Sequence, residues 1–343
     1  MLRLLVVARS AELRSLVERA LRVGSGLELV GAARTQAEAV DAARRLKPDL
    51  IVVEPRLGSQ EGAAVVTEIM VETPTPIVVV THDANADLGS LAVQALAAGA
   101  LAIMPAPELK NEELDEASAR KFLSSLASMS QVKVVRRWRG RPGTAANPPQ
   151  LGCKPIIRVV GVAASTGGPA AIKAILKELP SNFPAPILIV QHIASGYIEA
   201  IASSLGAVLP LRVKVAENGD LLVPGTVYLA PDGHQMGCAG RKRIRVVDDP
   251  PIDGFRPSGT HLFTSMAHAF GNEALAIVLT GMGRDGTAGL GDIRAANGLV
   301  MAQDAESSVV FGMPKAAIDS GFVDAVLSLD EMPAEIVRLA GLL

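Results

Sequence analysis

The sequence predicts an α/β protein built from two doubly wound, parallel-sheet domains, one in each half of the chain. Three observations carry that expectation. Short, near-continuous apolar runs alternate with segments of helical period, as strands buried on both faces require. The alternation stops at residues 130–154, where a basic run leads into Arg141-Pro-Gly-Thr-Ala-Ala-Asn-Pro-Pro-Gln150, and then resumes. The length of 343 residues also exceeds the ~100–200 of one typical core.

In the first half, Leu4–Val7, Leu27–Val30, Leu50–Val53, Ile77–Val80 and Leu101–Ile103 read as five strands. Helices are expected near 10–22, 35–46, 62–71, 87–98 and 111–128. Such a run of five β/α units fits a small flavodoxin-like sheet, with its site at the carboxyl ends of the strands. In the second half, strands are expected at Ile156–Val162, Ile187–Val190, Ala276–Leu279, Leu299–Ala302 and Val323–Leu327. Helices near 169–178, 196–206, 259–270, 288–296, 313–319 and 333–342 would cover them. Thr226–Ala230, Gln235–Cys238 and Arg243–Val247 read as a small antiparallel insert turning at Ala239-Gly240. The expected domains are 1–129 and 155–343, joined by the linker 130–154.

Composition narrows the function classes. Hydrophobic residues make up 49%, charged residues 20% and aromatics 3%, which excludes a disordered chain. A net charge of -2 argues against general nucleic-acid binding, and the cluster Arg136, Arg137, Arg139 and Arg141 reads as solvated linker charge. Cys153 and Cys238 stand far apart without metal-ligand or disulfide spacing, so a reducing cytoplasm is the default. No signal-peptide core or uninterrupted run of about 18 apolar residues is present.

Three segments of the second half run from a strand straight into a polar, glycine-bearing turn. They are Val159-Val-Gly-Val-Ala-Ala-Ser165-Thr-Gly-Gly-Pro169, Ile187-Leu-Ile-Val-Gln191-His192 and Ile277-Val-Leu-Thr-Gly-Met-Gly-Arg-Asp285-Gly286. In a parallel sheet these strand ends share one crevice, which gathers a hydroxyl, an imidazole and a carboxylate. A serine hydroxyl is a weak nucleophile at neutral pH, so a neutral imidazole must take its proton and a carboxylate must fix the tautomer. Gly167, Gly168, Gly281 and Gly283 would let backbone N–H groups approach a developing oxyanion. Each piece alone has a plainer reading. Ser-Thr-Gly-Gly can be a phosphate cradle or a structural turn, His192 a hydrogen-bonded surface residue, and Asp285 a helix cap. His261 and His268 are expected on ordinary helix surface, since no carboxylate or cysteine completes a metal set. His234 is expected at the rim.

The motifs taken together are more specific. Ala164-Ser-Thr-Gly-Gly-Pro169, Gln191-His192, Leu229-Ala-Pro231, Phe255-Arg-Pro-Ser258, Leu279-Thr-Gly-Met-Gly-Arg-Asp-Gly286, Gln303-Asp304 and Gly312-Met-Pro314 occur in order. In these the chain from about 155 to 340 resembles the catalytic domain of the chemotaxis protein-glutamate methylesterases, the CheB type. The resemblance implies hydrolysis of glutamate γ-methyl esters, and often glutamine deamidation, on the cytoplasmic helices of methyl-accepting chemoreceptors. It implies Ser165 as nucleophile, His192 as base, Asp285 as the orienting acid, and oxyanion or site-shaping roles for Thr166 and the Met282 backbone. No metal or organic cofactor, no nucleic acid and no direct membrane insertion are implied, while a histidine-kinase signalling complex is a further candidate partner. Two departures stand out: Ala163 replaces a frequent family glycine, and Thr260 stands where the family has an aspartate, able to cap a helix but carrying no charge.

The first half resembles the receiver domain of response regulators. Its pocket departs from that pattern: Ala8 and Arg9 stand where acids bind Mg²⁺, Glu54 replaces the acceptor aspartate and Met104 the lysine, and Thr81 is kept. Without the acidic pair the usual metal site is lost, so phosphorylation is not expected. Glu54 reads either as a mimic of the charged state or as a partner of Arg9 across the vacated pocket. The domain itself then reads as a structural or docking unit. Two rivals to the esterase remain, a non-enzymatic signalling or docking module and a nucleotide-binding domain, though the latter lacks the P-loop lysine and the G-x-G-x-x-G spacing.

Overall fold

The computed structural model describes residues 1–24, 26–58, 60–81, 86–110, 113–130, 132 and 156–342. Its chain divides into two compact units, Met1–Gly140 and Arg141–Leu343. The basic cluster Arg136–Arg141, Cys153 and nearly all of the expected linker lie outside the described residues.

In the first unit the chain runs β1 (Leu2–Val7), α1 (Ala11–Leu21), β2 (Leu27–Ala33), α2 (Gln36–Leu46) and β3 (Leu50–Val53). It continues through β4 (Arg56–Leu57), β5 (Gln60–Glu61), α3 (Gly62–Glu72), β6 (Ile77–Thr81), α4 (Ala86–Ala98) and β7 (Ala102–Pro105). The unit closes with β8 (Leu109–Lys110), β9 (Glu113–Leu114) and α5 (Glu116–Ser130). The main sheet has the order β2-β1-β3-β6-β7, all parallel, which is the flavodoxin-like arrangement. β3 and β6 are buried along their whole length, as their Val/Ile runs require. Ser10 caps α1 by accepting from the Leu13 N–H, and Thr35 caps α2 by accepting from Glu38. α5 starts five residues later than expected, because Leu109–Lys110 and Glu113–Leu114 form an antiparallel ribbon first.

The second unit begins β10 (Val159–Ala164), α6 (Gly168–Leu176), β11 (Ile187–Gln191), α7 (Ile198–Gly206), β12 (Arg212–Val215) and β13 (Thr226–Leu229). Then come β14 (Gln235–Ala239), β15 (Arg243–Val247), α8 (Gly259–Phe270) and β16 (Ala274–Val278). It ends α9 (Thr287–Ala295), β17 (Leu299–Gln303), α10 (Met313–Asp319), β18 (Ala325–Leu327) and α11 (Met332–Leu339). Seven parallel strands form one sheet, ordered β12-β13-β11-β10-β16-β17-β18. The chain builds outward from β10 first through β11 and later through β16, so the carboxyl end of β10 is the topological switch point where such sheets bind ligands.

Two expectations need correcting here. Thr226–Leu229 is not part of the antiparallel insert: it pairs parallel with both β11 and β12 inside the main sheet. β12 itself was not anticipated, since Arg212 and Lys214 give this edge strand a charged face that hides its pattern. The insert is the single hairpin β14–β15, turning at Gly240 with φ +64°. Among the described residues, no helix is long and apolar enough to cross a membrane.

Cys238 on β14 is mostly buried, and burial pushes its thiol up to about 12, with the hydrogen bond to Ser265 opposing only in part. The thiolate is the reactive form. Peptide mass spectrometry after iodoacetamide treatment near pH 8 should find Cys238 unmodified in native protein and alkylated after denaturation.

Candidate active site

β10 delivers Ser165 to the switch point. The Ser165 N–H donates to the Thr280 carbonyl at 3.0 Å, prolonging the β10–β16 pairing, and the His192 N–H donates to the Ala164 carbonyl at 2.9 Å, prolonging β10–β11. Ala164 lies opposite Gln191, so Ser165 and His192 leave adjacent strands at the same level. Neighbouring strands run about 4.8 Å apart, which puts the two side chains within reach of each other. Gln191, buried, braces this junction: its Nε2 donates to the carbonyls of Ser165 at 2.9 Å and His192 at 2.8 Å. Glycine at 281 is obligatory, because a Cβ there would stand 2.6 Å from Ser165 Cβ.

His192 Nε2 lies 2.8 Å from Asp285 Oδ2. A carboxylate only accepts, so Nε2 carries the proton and Nδ1 is the basic nitrogen. Nδ1 is buried and, among the described residues, takes no hydrogen bond, the Ser165 hydroxyl included. The structure therefore brings His192 onto Asp285 and starts Ser165 from the adjacent strand end, with the serine–imidazole hydrogen bond unformed; such bonds often tighten only when substrate arrives.

Asp285 has a side-chain exposure of 1% and is surrounded by donors. Besides His192, its oxygens accept from Ser258 Oγ at 2.6 Å, the Gly259 N–H at 2.6 Å and the Thr260 N–H at 3.3 Å. The two N–H groups belong to the first turn of α8, whose positive end favours an anion. Burial alone would push the Asp285 carboxyl up, but hydrogen bonds from His192, Ser258 and Gly259 outweigh it and hold the carboxyl below its usual range. Asp285 does not cap its own helix; Gly286 stands at that position on α9.

The remaining expected residues fall as follows. Thr166 is buried, and its carbonyl accepts from Thr280 Oγ1 at 2.9 Å. Met282 is 40% exposed, and its N–H donates to no other group among the described residues. Ala163 is fully buried, its methyl filling space beside Gly259 and Gly286. Thr260 does not cap α8, which Ser258 does; instead the Thr260 hydroxyl accepts from the Gly286 N–H at 3.1 Å. His234 is exposed and hydrogen-bonds through Nδ1 to its own loop at Asp232. His261 is half-buried, against expectation, and lines a groove of about 380 Å³ with Cys238, Arg245 and the exposed His268. Burial lowers the His261 pKa, with Asp249 opposing. Among the described residues no cluster of three His, Cys, Asp or Glu side chains is placed to hold a metal ion.

Sequence reasoning missed three supporting residues: Ser258, Gln235 and Phe255. Gln235, fully buried, accepts from the Ser258 N–H at 2.9 Å and donates to the Phe255 carbonyl at 3.3 Å. Phe255 stacks on the His192 ring, centroids 4.4 Å apart. A Phe255-Arg-Pro-Ser258 motif was visible; the contacts it makes were not.

In the first unit, Glu54 follows β3 and its Oε2 accepts from the N–H groups of Arg9 at 2.9 Å and Ser10 at 3.1 Å. Pairing with Arg9 thus occurs through its main chain, and among the described residues no ion pair joins the two side chains. Arg14 Nη1 donates to the carbonyls of Ala8 at 2.6 Å and Arg9 at 2.9 Å, placing a cation at the tip of β1. Ala8 and Thr81 are buried, and Met104 is half-buried on β7.

Comparison with known proteins bears on this geometry. Residues 160–336 match the family model for CheB methylesterase, and residues 4–118 match the response regulator receiver domain. The protein-glutamate methylesterase/protein-glutamine glutaminase of group 3 operon from Rhizobium meliloti is 50% identical, over 99% of this chain and 97% of its own. The chain belongs to the CheB methylesterase family. A second relative of that name, number 4 of Myxococcus xanthus, is 42% identical over 98% of this chain and 96% of its own. The CheB methylesterase catalytic domain of Thermotoga maritima, a crystal structure, aligns with a TM-score of 0.52 at 36% identity, covering 53% of this chain and 98% of that one. The fold of the second unit is therefore the CheB methylesterase fold, preceded by a receiver.

Ser258→Ala removes a buried donor to a carboxylate and the side-chain cap of α8 together. We expect it to destabilise the second unit by about 2 kcal/mol at pH 7, measured by urea unfolding. The Asp285 carboxyl is lowered on folding, so its contribution is present above the unfolded value and is lost as pH falls through the folded one. With one donor gone that loss should begin at higher pH, moving the acid-unfolding midpoint upward.

Proposed function

We propose that this protein is a serine hydrolase that cleaves glutamate γ-methyl esters, and deamidates glutamines at similar sites, on the cytoplasmic helices of chemoreceptors. Residues 155–343 form the hydrolase, residues 1–129 a receiver-like domain that is not phosphorylated, and 130–154 their linker. The chain works in the cytoplasm, with receptor helices as substrate and a histidine-kinase signalling complex as a further partner. The observation that carries the reading is the His192–Asp285 pair at 2.8 Å, which leaves Nδ1 free of a partner among the described residues, at a strand end adjacent to that of Ser165.

In this mechanism His192 Nδ1 takes the Ser165 proton as Oγ attacks the ester carbonyl carbon. The resulting oxyanion is met by backbone N–H groups at Met282 and after Ser165 at Thr166. Collapse breaks the bond to methoxide, which takes the proton from His192 and leaves as methanol. Water then gives a proton to His192 and attacks the acyl-serine; release of glutamate returns the proton to Ser165. Asp285, kept ionised, holds the ring tautomer and balances the imidazolium charge.

For the first unit, the support is that the acceptor position and the acidic Mg²⁺-binding positions have other occupants, although Thr81 is kept. Glu54 is engaged by two main-chain N–H groups, and Arg14 donates to the carbonyls of Ala8 and Arg9 just after β1, the positions at which acids would be needed to hold Mg²⁺. Between the two roles weighed for Glu54, these contacts favour a structural one.

Methanol release from methylated receptor should fall by several orders of magnitude in Ser165→Ala. Equal rates in parent and variant would refute the serine mechanism. Incubation with a small phosphodonor and Mg²⁺ should add no phosphoryl group by intact-mass measurement. A hydroxylamine-labile phosphate in the first unit would overturn that part.

A further inference from the structure

The ring of Phe255 lies over the His192 imidazole with centroids 4.4 Å apart and planes 13° from parallel. Its backbone is fixed on both sides. The Phe255 N–H donates to the Ile252 carbonyl at 2.9 Å, and its own carbonyl accepts from the Ile252 N–H at 3.1 Å and from Gln235 Nε2 at 3.3 Å. The same Gln235 holds the Ser258 N–H at 2.9 Å, so one buried amide ties the stacked ring to the cap that grips Asp285.

The two partners of His192 act in different directions. Asp285 lies at Nε2, at the edge of the imidazole, whereas Phe255 covers its face. Against a neutral imidazole that contact is mainly dispersion. Once the imidazole has taken a proton, the negative face of the benzene ring attracts the cation as well. An interaction stronger in the charged transition state than in the ground state lowers the barrier, while one equal in both only tightens binding. The nearest cation on the same segment, Arg256, is paired with Asp248 at 2.6 Å, so its repulsion of an imidazolium is partly offset.

We infer that Phe255 is a positioning residue that stabilises the imidazolium form of His192 through the face of its ring, and so acts in the proton-transfer steps rather than in substrate binding. This rests on His192 being the general base.

The test uses full-length protein carrying mono-, di- and trifluorinated phenylalanine at position 255, which drains the ring's negative face with little change in shape. Methanol release from methylated receptor is measured for each. The expected result is a steady fall in log kcat with each fluorine, about tenfold across the series, at constant KM. Phe255→Tyr should stay near the parent, and Phe255→Leu should fall at least as far as the trifluoro form. A kcat independent of fluorine content would overturn the inference, as would a change confined to KM. Failure of the underlying reading is separately visible, since Ser165→Ala would then keep the parent rate.

Discussion

A carboxylate taken out of water has to be surrounded by donors or it will not stay charged, and Asp285 imposes that demand on the second unit. Four donors answer it: the His192 ring, the Ser258 hydroxyl and two N–H groups from the first turn of α8. Meeting the demand fixes where α8 begins, which way its amino end points and how the 248–258 segment returns to the sheet. Gln235 extends the arrangement into the hairpin by holding both Ser258 and Phe255. The β14–β15 insert is thereby tied to the surroundings of Asp285 through Gln235.

The sheet supplies the other half of the geometry. Parallel strands place their carboxyl ends on one edge, and the switch at β10 opens a crevice between the connections that depart on either side. Gly281 lets the Thr280 turn press against Ser165, and Gln191 bridges the two strand ends by their carbonyls. Backbone pairing thus sets the level at which Ser165 and His192, the proposed nucleophile and base, leave their strands.

Much of this was legible in the amino-acid order because buried parallel strands must be apolar, as β10 and β16 are throughout and β11 and β17 are up to their final glutamines. The polar residues that end such runs are then conspicuous, and Ser165, His192 and Asp285 were found in that way. What stayed hidden depends on partners distant in sequence. Thr226–Leu229 looks the same whether its neighbours run parallel or antiparallel, and only the fold decides. Ser258 and Gln235 carry no chemistry of their own, so nothing in their spacing shows that they serve Asp285. Glu54 was noticed as a substitution, but its partners are main-chain N–H groups, which every residue but proline possesses and no pattern singles out.

Glu54 also bears on time. A phosphoryl group on an aspartate is written and erased, and its persistence sets the memory of the signal. On the proposal that the first unit is not phosphorylated, a carboxylate encoded in the polypeptide and clasped by the loop after β1 has neither beginning nor decay, and that unit would hold one setting from synthesis to degradation. Any pacing of the proposed demethylation would then come from outside it, through how much of the chain is made, where it is recruited, or how many methyl groups its substrate presents.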